Sequence, residues 1–593
     1  MPHPMPALDQ VATTGGFLLV LSLVAPVVGV LLAFVAGGRY VERIAFATMP
    51  LGFAIAVAIA VTLRQTGSPL VYLLGGWAPP LGVALRADGL SAVMMMTTAV
   101  VICAVGLYAR ADFATPVGSL EARGSFVFWI LLLAIWGALN TVFLGGDLFT
   151  LYVALELVTF AAVPLVSLDG RAETLQAALR YLLFALLGSV LYLVGTALLY
   201  GAYGTLDIVL LSNRVHANPG TLVAAALMTV GLLAKTALFP LHLWLPPAHA
   251  GAPAAGSAIL SALVVKGSFF IVVRLWFDAM PRLPGFTAAQ LLAGLGAAAV
   301  VFGSVVALRQ ERLKLLIAYS TLAQIGYLFL MFPLALSADA DRLESGGALA
   351  GGLLQAISHA TAKAAMFMSA GLIYAALGRD RITELGGVGR ALPLSVLAFA
   401  LGGVALIGVP PSGAYLAKEL LLRATAETAQ WWWALVIQAG GFFTSGYLVL
   451  VLAHALAPAE EPITLRDSVP RVGEAAALAL AVCSLLLGLV DWEPYLSVPR
   501  AALSNPLGLK TVSAALWTIV GGALLAILLG RWGHRLARVG NSLLGTLGSA
   551  RRIALALGGA VESIDSLLRQ WPAAGMSLLM LVLLLGAAML EGR

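Results

Sequence analysis

Long apolar stretches alternate with short polar connections along almost the whole chain. A helix that crosses a bilayer needs about 20 mostly apolar residues, so each stretch predicts one membrane-spanning helix. The connections are too short for a separate soluble domain, and the pattern therefore predicts an all-α polytopic membrane protein folded as one bundle. About 16 stretches reach that length, at residues 16–36, 44–63, 90–109, 125–145, 148–168, 177–200, 221–241, 254–277, 286–307, 314–336, 348–377, 391–424, 431–456, 472–490, 511–530 and 573–590.

Two of the predicted spans contain prolines close to a lysine. Pro240 follows Lys235 in the seventh span, and Pro410 and Pro411 precede Lys418 in the twelfth. Proline removes a helical hydrogen bond, and broken backbone at membrane depth is tolerated only where protein or water covers it. Broken helices five spans apart are typical of two inverted five-helix repeats with transport sites at the breaks.

The repeats divide the chain into five predicted regions. They are N-terminal transmembrane helices at 1–124, a first half-channel at 125–277, a second half-channel at 286–456, additional transmembrane helices at 457–530, and an amphipathic interfacial helix with a terminal anchor helix at 531–593.

The segment from 531 to 570, between the last two spans, mixes basic and apolar residues, as does an amphipathic helix lying in the membrane interface. Glycines within it predict interruptions, and Pro572 predicts its end. Two interpretations stay open: a loose surface helix without function, or a strap along a neighbouring subunit. The basic residues are Arg531, His534, Arg535, Arg538, Arg551, Arg552 and Arg569, and the glycines are Gly540, Gly545, Gly548, Gly558 and Gly559.

The composition excludes a soluble protein. Of the 593 residues, 61% are hydrophobic and 10% are charged, whereas soluble domains have about 45–50% and about 25%. The formal net charge of +6 is too diluted to indicate a nucleic-acid partner. Lys and Arg are in excess in the loops after odd-numbered spans. By the positive-inside rule these loops are expected in the cytoplasm, with both termini outside a bacterial inner membrane.

The two cysteines, Cys103 and Cys483, lie far apart in apolar stretches, and the sequence has no CxxC motif or Cys/His cluster. This pattern argues against an iron–sulfur centre, a zinc site or a disulfide framework. A nucleophile–base set and a phosphate-binding loop are also missing from the sequence. We therefore expect no metal, no cofactor and no catalytic centre within this chain.

Six ionisable residues stand out inside apolar spans, where a charge costs about 2.5–3.5 kcal/mol on insertion scales. Glu156 beside Lys235 would form a proton switch, because a paired lysine keeps its proton and a separated lysine releases it. For any single residue the alternative is a structural ion pair or a lysine that reaches the interface. Lysines in four separate spans favour a functional row. The six are Glu156, Lys235, Lys266, His359, Lys363 and Lys418.

These residues lie in motifs that resemble the antiporter-like membrane subunits of respiratory complex I, Mrp-type Na+/H+ antiporters and membrane-bound hydrogenases. The most specific stretch is AKTALFPLHLWLPPAHAGAP at 234–253. It resembles the lysine-to-proline broken helix of that family. Supporting stretches are GGWAPP at 75–80, the helix around Glu156, LKLLIAYSTL at 313–322, HATAK at 359–363 and GVPPSG at 408–413.

The resemblance implies roles for individual residues. Glu156 and Lys235 would form a coupling ion pair, and Lys266 would be the next proton carrier. The candidate modulators are His242, His249 and Glu419, the last of which could instead pair with Arg423. The remaining roles are a central link at His359 and Lys363, a terminal lysine of the second half-channel at Lys418, and helix breaks at Pro240, Pro410 and Pro411.

The function implied by the resemblance is that of a proton-translocating antiporter-like subunit of a multisubunit membrane complex. Redox chemistry in partner subunits would drive it, so the chain would be the ion-pumping part of an NADH:quinone oxidoreductase-like or hydrogenase-like complex, beside sister antiporter-like subunits. The alternatives are a subunit of an Mrp-type Na+/H+ antiporter and a non-conducting scaffold. Thr159, Ser189 and Ser320 could supply oxygen ligands to Na+ or serve helix packing, and the sequence leaves this open.

Overall fold

The computed structural model describes residues 12–591 apart from 116–121, 282, 284, 337–345, 460–464, 497, 499–507 and 530–543. The described part is almost entirely helical, and 15 of its helices are long and apolar enough to cross a membrane. In chain order the helices are α1 (Phe17–Ala36), α2 (Tyr40–Thr66), α3 (Gly89–Ala109), α4 (Arg123–Leu144), α5 (Leu148–Val166), α6 (Ala172–Tyr203), α7 (Ile208–Arg214), α8 (Pro219–Thr236), α9 (Leu245–Gly251), α10 (Ala254–Ile259), α11 (Val265–Val273), α12 (Phe286–Arg309), α13 (Leu313–Phe329), α14 (Met331–Ala335), α15 (Gly346–Leu377), α16 (Val388–Ala391), α17 (Pro393–Ile407), α18 (Gly413–Glu427), α19 (Trp431–Ala455), α20 (Arg471–Leu486), α21 (Leu509–Leu529), α22 (Leu544–Leu568) and α23 (Trp571–Glu591).

Some neighbouring helices join into one span. Two π-helical turns, Leu260–Val264 and Arg274–Ala279, connect α10 with α11 and extend α11, so that Ala254–Ala279 crosses as a unit. Helices α13 and α14 likewise form the span Leu313–Ala335. The predicted polytopic helical architecture is thus confirmed.

Both predicted helix breaks are present. The α8 helix ends at Thr236 with Ala237 in the left-handed region at φ 59°, and helical structure resumes only at α9. The twelfth predicted span, 391–424, consists of α17 and α18, and Gly408 between them has φ 85°. The hydroxyl of Ser412 then caps α18 by accepting a hydrogen bond from the backbone N–H of Tyr415.

A short hairpin, which the sequence pattern did not predict, precedes α3. Strands β1 (Leu70–Leu73) and β2 (Ala84–Ala87) pair antiparallel. Asp88 follows β2, caps α3, and accepts hydrogen bonds from both terminal nitrogens of Arg274, each at 2.6 Å. Burial acts to raise the pKa of Asp88, but the charge and hydrogen bonds of Arg274 prevail and lower it to about 2.

Glycines let two pairs of helices pack backbone to backbone, as is common between membrane helices. A Cβ added at Gly231 of α8 would lie 2.3 Å from the carbonyl oxygen of Gly188 in α6. A Cβ at Gly326 of α13 would lie 2.3 Å from the carbonyl oxygen of Gly296 in α12. The first contact fixes the approach of α8 to α6 one turn before Lys235.

The C-terminal amphipathic helix is α22, which runs for 25 residues, or about 37 Å at 1.5 Å per residue. The predicted glycine interruptions are wrong within its described part, because α22 continues through Gly545, Gly548, Gly558 and Gly559. Gly558 instead makes room for a neighbour: a Cβ there would lie 2.8 Å from Nη1 of Arg309. Pro572 stands in the first turn of α23, where proline is tolerated. The predicted residues Arg531, His534, Arg535, Arg538 and Gly540 lie outside the described ranges.

Candidate functional site

Glu156 of α5 and Lys235 of α8 form a buried ion pair. The Lys235 Nζ lies 3.0 Å from Glu156 Oε1, and the side chains are 7% exposed for the lysine and 13% for the glutamate. The ammonium also donates to the Thr159 hydroxyl at 2.8 Å and to the Leu155 carbonyl at 3.4 Å. The Ser189 hydroxyl donates to Glu156. Both charges therefore have the partners that a buried ion pair requires. Two of these partners, Thr159 and Ser189, are residues that the sequence analysis named as possible oxygen ligands of Na+.

The break after α8 leaves the buried C-terminal end of that helix next to this pair. Lys235 is the penultimate residue of α8, and the Trp244 indole N–H donates to the carbonyl of Ala234 at 3.0 Å. The hydroxyls of Thr236 and Ser268 lie 2.9 Å apart, which connects the break with α11. The proline-containing segment thus places the lysine at a point where backbone groups find side-chain partners, as expected for broken helices in membranes.

Lys266 and His359 meet at the centre of the bundle. The Lys266 Nζ is hydrogen-bonded to Nδ1 of His359 and donates to the carbonyl of Ser261. The side chains are 1% and 0% exposed. Ser261 belongs to the π-helical turn of residues 260–264, a distortion that frequently marks functional sites. This contact allows one proton to be shared between the two nitrogens.

Lys363 continues the row one helical turn beyond His359 on α15. Its Nζ donates to the Ser320 hydroxyl at 2.5 Å and to the Ile317 carbonyl at 3.3 Å, both on α13. The side chain is fully buried. Ser320, predicted only as a candidate oxygen ligand, thus serves as a hydrogen-bond acceptor for Lys363.

Lys418 of α18 lines a cavity of about 390 Å³, in which helix α21 forms one wall. Glu419, the other charged residue of that lining, comes directly after it. The predicted alternative partner of Glu419, Arg423, pairs with Glu427 at 2.7 Å. Lys418 is therefore the member of the row that adjoins a cavity large enough for several waters.

The two predicted histidine modulators have different surroundings. His242, in the break after α8, has Nε2 at 3.0 Å from Asp565 of α22. His249 stacks on Phe367 with ring centroids 4.8 Å apart, and neither of its ring nitrogens has a hydrogen-bond partner within the described part of the chain. Of these two histidines, it is His242 whose side chain connects the break with another element.

Asp565 is a residue that the sequence analysis missed. It accepts hydrogen bonds from the Tyr319 hydroxyl at 2.6 Å and pairs with Arg569 at 2.9 Å, besides its contact with His242. Burial acts to raise the pKa of Asp565, but the hydrogen bond to His242 and the charge of Arg569 keep it below its ordinary value. Nearby, Arg309 pairs with Glu562 at 2.9 Å. The described part of α22 therefore binds its own chain at the helix break.

The buried row and the broken helices define an antiporter-like multi-pass membrane protein. Comparisons with known proteins agree with this class. The family described as NADH:quinone oxidoreductase/Mrp antiporter, TM, matches residues 145–444. Among the described residues no group of three or more His, Cys, Asp or Glu is placed to hold a metal ion.

Individual relatives extend the match beyond that segment. NADH-quinone oxidoreductase subunit N of Desulforudis audaxviator (strain MP104C) is 32% identical over 76% of this chain and 90% of the relative. A subunit of the Na+/H+ antiporter of Bacillus subtilis (strain 168) is 27% identical over 80% of this chain and 95% of the relative. A chain in the structure of the Mrp complex from Dietzia sp. DQ12-45-1b has the same fold, with a TM-score of 0.71 and 23% sequence identity. The match covers 89% of this chain and 99% of that chain. The chain belongs to the NADH:quinone oxidoreductase/Mrp antiporter transmembrane family.

Proposed function

We propose that this chain moves protons across a membrane as a subunit of a multisubunit complex, and that redox chemistry in partner subunits drives it. The observation that carries the proposal is the row of buried ionisable side chains from the Glu156–Lys235 pair through Lys266 to Lys363. Charges at membrane depth are costly and are found mainly along ion pathways. The similarity to a subunit of an NADH-quinone oxidoreductase supports the driving reaction.

The contacts support a proposed role for each residue. The Glu156–Lys235 pair controls the coupling step, since pairing holds the proton on the lysine and separation releases it. Lys266, in contact with His359, receives the proton next, and Lys363 takes it one helical turn further. Positive charges on Lys266 and Lys363 repel one another, so the arrival of one proton favours the departure of another.

Lys418 is proposed as the terminal lysine, because it adjoins the 390 Å³ cavity. The division into half-channels at 125–277 and 286–456 follows the two helix breaks. Pro240 and the Pro410–Pro411 pair provide these breaks, which allow the helix halves to reorient.

The experiment is proton flux in proteoliposomes that contain the purified complex, started by its driving reaction. Lys235→Ala is expected to abolish coupled flux while assembly is retained, since the row loses its paired cation. The matched control is Arg423→Ala, which removes a cation from an exposed pair on α18 and is expected to leave flux unchanged. Retained pumping by Lys235→Ala refutes the assigned role.

A second candidate function, Na+/H+ exchange, is favoured by the similarity to a subunit of a bacterial Na+/H+ antiporter. Thr159, Ser189 and Ser320 already hydrogen-bond to Lys235, Glu156 and Lys363, respectively. An ion that takes oxygen ligands would have to displace those partners. Flux that requires Na+ in a complex without cofactor-bearing subunits would establish exchange. Lysine variants that lower complex yield but not flux would favour a scaffold instead.

The setting of the chain is part of the proposal. We expect a bacterial inner membrane, with both termini outside and the arginine-rich loops in the cytoplasm. Other membrane subunits, including sister antiporter-like chains, are the expected partners, and α22 could also reach one of them. Mass spectrometry after mild detergent extraction tests this: cofactor-bearing subunits favour a redox-driven pump, and small membrane proteins with sister chains favour an exchanger.

A further inference from the structure

Lys418 differs from the other lysines of the row in its hydrogen bonds. Lys235, Lys266 and Lys363 each donate to at least one protein oxygen. Within the described part of the chain, no protein atom accepts a hydrogen bond from Nζ of Lys418. An ammonium at membrane depth needs acceptors. We therefore expect water in the cavity that Lys418 lines to supply them.

One wall of that cavity is a helix that lies outside the segment matched by the family. The family match ends at residue 444, whereas α21 begins at Leu509. Positions 511, 514, 515 and 518 recur at helical spacing and therefore share one face of α21. That face borders the cavity. The residues that α21 contributes to the lining are Thr511, Ala514, Ala515, Trp517 and Thr518.

Gly441 of α19 places the lysine beside α21. A Cβ added at Gly441 would lie 3.1 Å from Nζ of Lys418 and 3.3 Å from Cγ2 of Thr518. Both atoms border the same small space, which the glycine leaves open. The ammonium of Lys418 and the cavity face of α21 are therefore close neighbours, and any larger residue at position 441 would press on both.

Small residues hold α21 against α19 next to the cavity. A Cβ added at Gly522 would lie 2.5 Å from Cβ of Ser445, and the Ser445 hydroxyl donates to the carbonyl of Ile519 at 3.4 Å. Such close packing is common between membrane helices. On the opposite face of α21, Val520 is 56% exposed. The helix thus covers α19 as a single outer layer of the chain.

We propose that α21 encloses a water-filled cavity over Lys418 and so gives this lysine its access to water, an inference that rests on the proposed function. Without α21, this part of α19 would border lipid, where a lysine is costly and water for proton exchange is missing. With α21, the cavity of about 390 Å³ has room for about ten waters. Polar groups that can bind them come from Tyr415, Glu419, Gln438, Thr511 and Thr518.

The enclosed water completes the proton step at the end of the row. The Lys418 ammonium releases one proton to a water of the cavity, which passes it on to its neighbours. Lys418 is left as a neutral amine that can accept the next proton from the row. Thr518 and the other lining residues of α21 act as positioning residues, because they hold water and exclude lipid without exchanging the proton themselves.

The first test measures whether water reaches the cavity face of α21 in the purified complex. Thr518→Cys borders the cavity, and Val520→Cys on the exposed opposite face is the matched control. A methanethiosulfonate that carries a sulfonate is expected to modify position 518 at least about tenfold faster than position 520, since the reactive thiolate forms in water and not in lipid. Peptide mass spectrometry separates these sites from Cys103 and Cys483. Equal rates at both positions, or no reaction at position 518, overturn the proposal.

The second test fills the cavity and measures proton flux in proteoliposomes. Ala515→Phe places a phenyl ring in the cavity, whereas Leu516→Phe places the same ring on a neighbouring position that is 59% exposed and does not line it. Flux is expected to fall at least about tenfold in Ala515→Phe, since a positioned proton-transfer step contributes about 10²–10⁴-fold, and to persist in Leu516→Phe. Wild-type flux in Ala515→Phe, or an equal loss in both variants, overturns the proposal.

A variant that assembles before the cavity is filled guards against misfolding. If Ala515→Phe does not assemble, the assembled Thr518→Cys complex is treated with the sulfonate reagent. Its flux is expected to fall at least about tenfold relative to the untreated variant, and unchanged flux on treatment is the contrary result. Failure of the proposed function is distinct: it requires absent wild-type flux or pumping by Lys235→Ala, and it leaves the labelling pattern of α21 as it is.

Discussion

Replacing Glu156 with glutamine isolates the charge of the coupling pair from its shape. Glutamine keeps an oxygen that can accept from Lys235 and from the Ser189 hydroxyl, so the packing of α5 against α6 and α8 is retained. The negative charge is lost, and Lys235 becomes a buried cation without its counter-ion. Any change in proton flux then reports the electrostatic role of the carboxylate.

The size of the effect follows from the geometry. At 3.0 Å and an effective dielectric constant of about 20, the attraction between the charges is about 5.5 kcal/mol. A hydrogen bond donated by the Lys235 ammonium to the glutamine oxygen returns about 1.5 kcal/mol. The protonated lysine therefore loses about 4 kcal/mol relative to the neutral amine, or about 10³-fold in its population, at about 1.4 kcal/mol per factor of ten.

The assay is coupled proton flux of the complex in proteoliposomes, together with its yield and melting temperature. Glu156→Gln is expected to lower flux at least about tenfold, because a lysine that no longer holds its proton cannot deliver it. The matched control is Glu474→Gln, which changes another buried carboxylate whose partner is the Ser395 hydroxyl at 2.8 Å, and it is expected to pump normally. Normal flux in Glu156→Gln, or an equal loss in both variants, would contradict an electrostatic role of the Glu156 carboxylate.

Three further predictions concern the scaffold of the site. Asp565→Asn should lower the free energy of unfolding by about 3 kcal/mol and expose α22 to proteolysis. Neither effect is expected if apolar contacts alone hold α22 in place. Gly231→Ala should lower both melting temperature and flux, because its methyl group would collide with the Gly188 carbonyl at 2.3 Å. The control Gly201→Ala, on α6 with nothing within 4 Å, should be neutral or stabilising. The difference in free energy of unfolding between the wild type and Asp88→Asn should be constant from pH 7 to about 4 and should vanish as the pH falls towards about 2. The reason is that the pKa of Asp88 is lowered in the folded state, so its stabilising negative charge is lost only as the pH approaches about 2. A difference that instead vanishes between pH 6 and 4 would contradict the ion pair with Arg274.

The row of charges was readable from the sequence because an ionisable residue in an apolar stretch stands out by composition alone. Sequence analysis selected all six residues of the row on that ground or by motif: Glu156, Lys235, Lys266, His359, Lys363 and Lys418. In the structure Glu156 contacts Lys235, and Lys266 contacts His359. The helix breaks were readable for a similar reason, since proline acts on its own helix. The charge of each residue is thus local information, as is the break beside it.

Asp565 and Tyr319 escaped sequence analysis because their significance depends on which residues they contact in the folded chain. Asp565 lies in an amphipathic helix where an acidic residue is unremarkable, and its partner His242 is 323 residues away.

The sequence alone identifies a polytopic helical membrane protein, the points where its helices break, and the ionisable residues within its apolar spans. Those properties depend on residues within about 20 positions of one another, because span length, proline breaks and helix faces are local. The three-dimensional structure adds that Lys266 contacts His359, that Gly188 and Gly231 bring α6 and α8 into contact, and that α22 binds at its own chain's helix break. Such contacts depend on how helices far apart in sequence pack, and in a uniformly apolar bundle the packing of small residues and buried hydrogen bonds sets that arrangement.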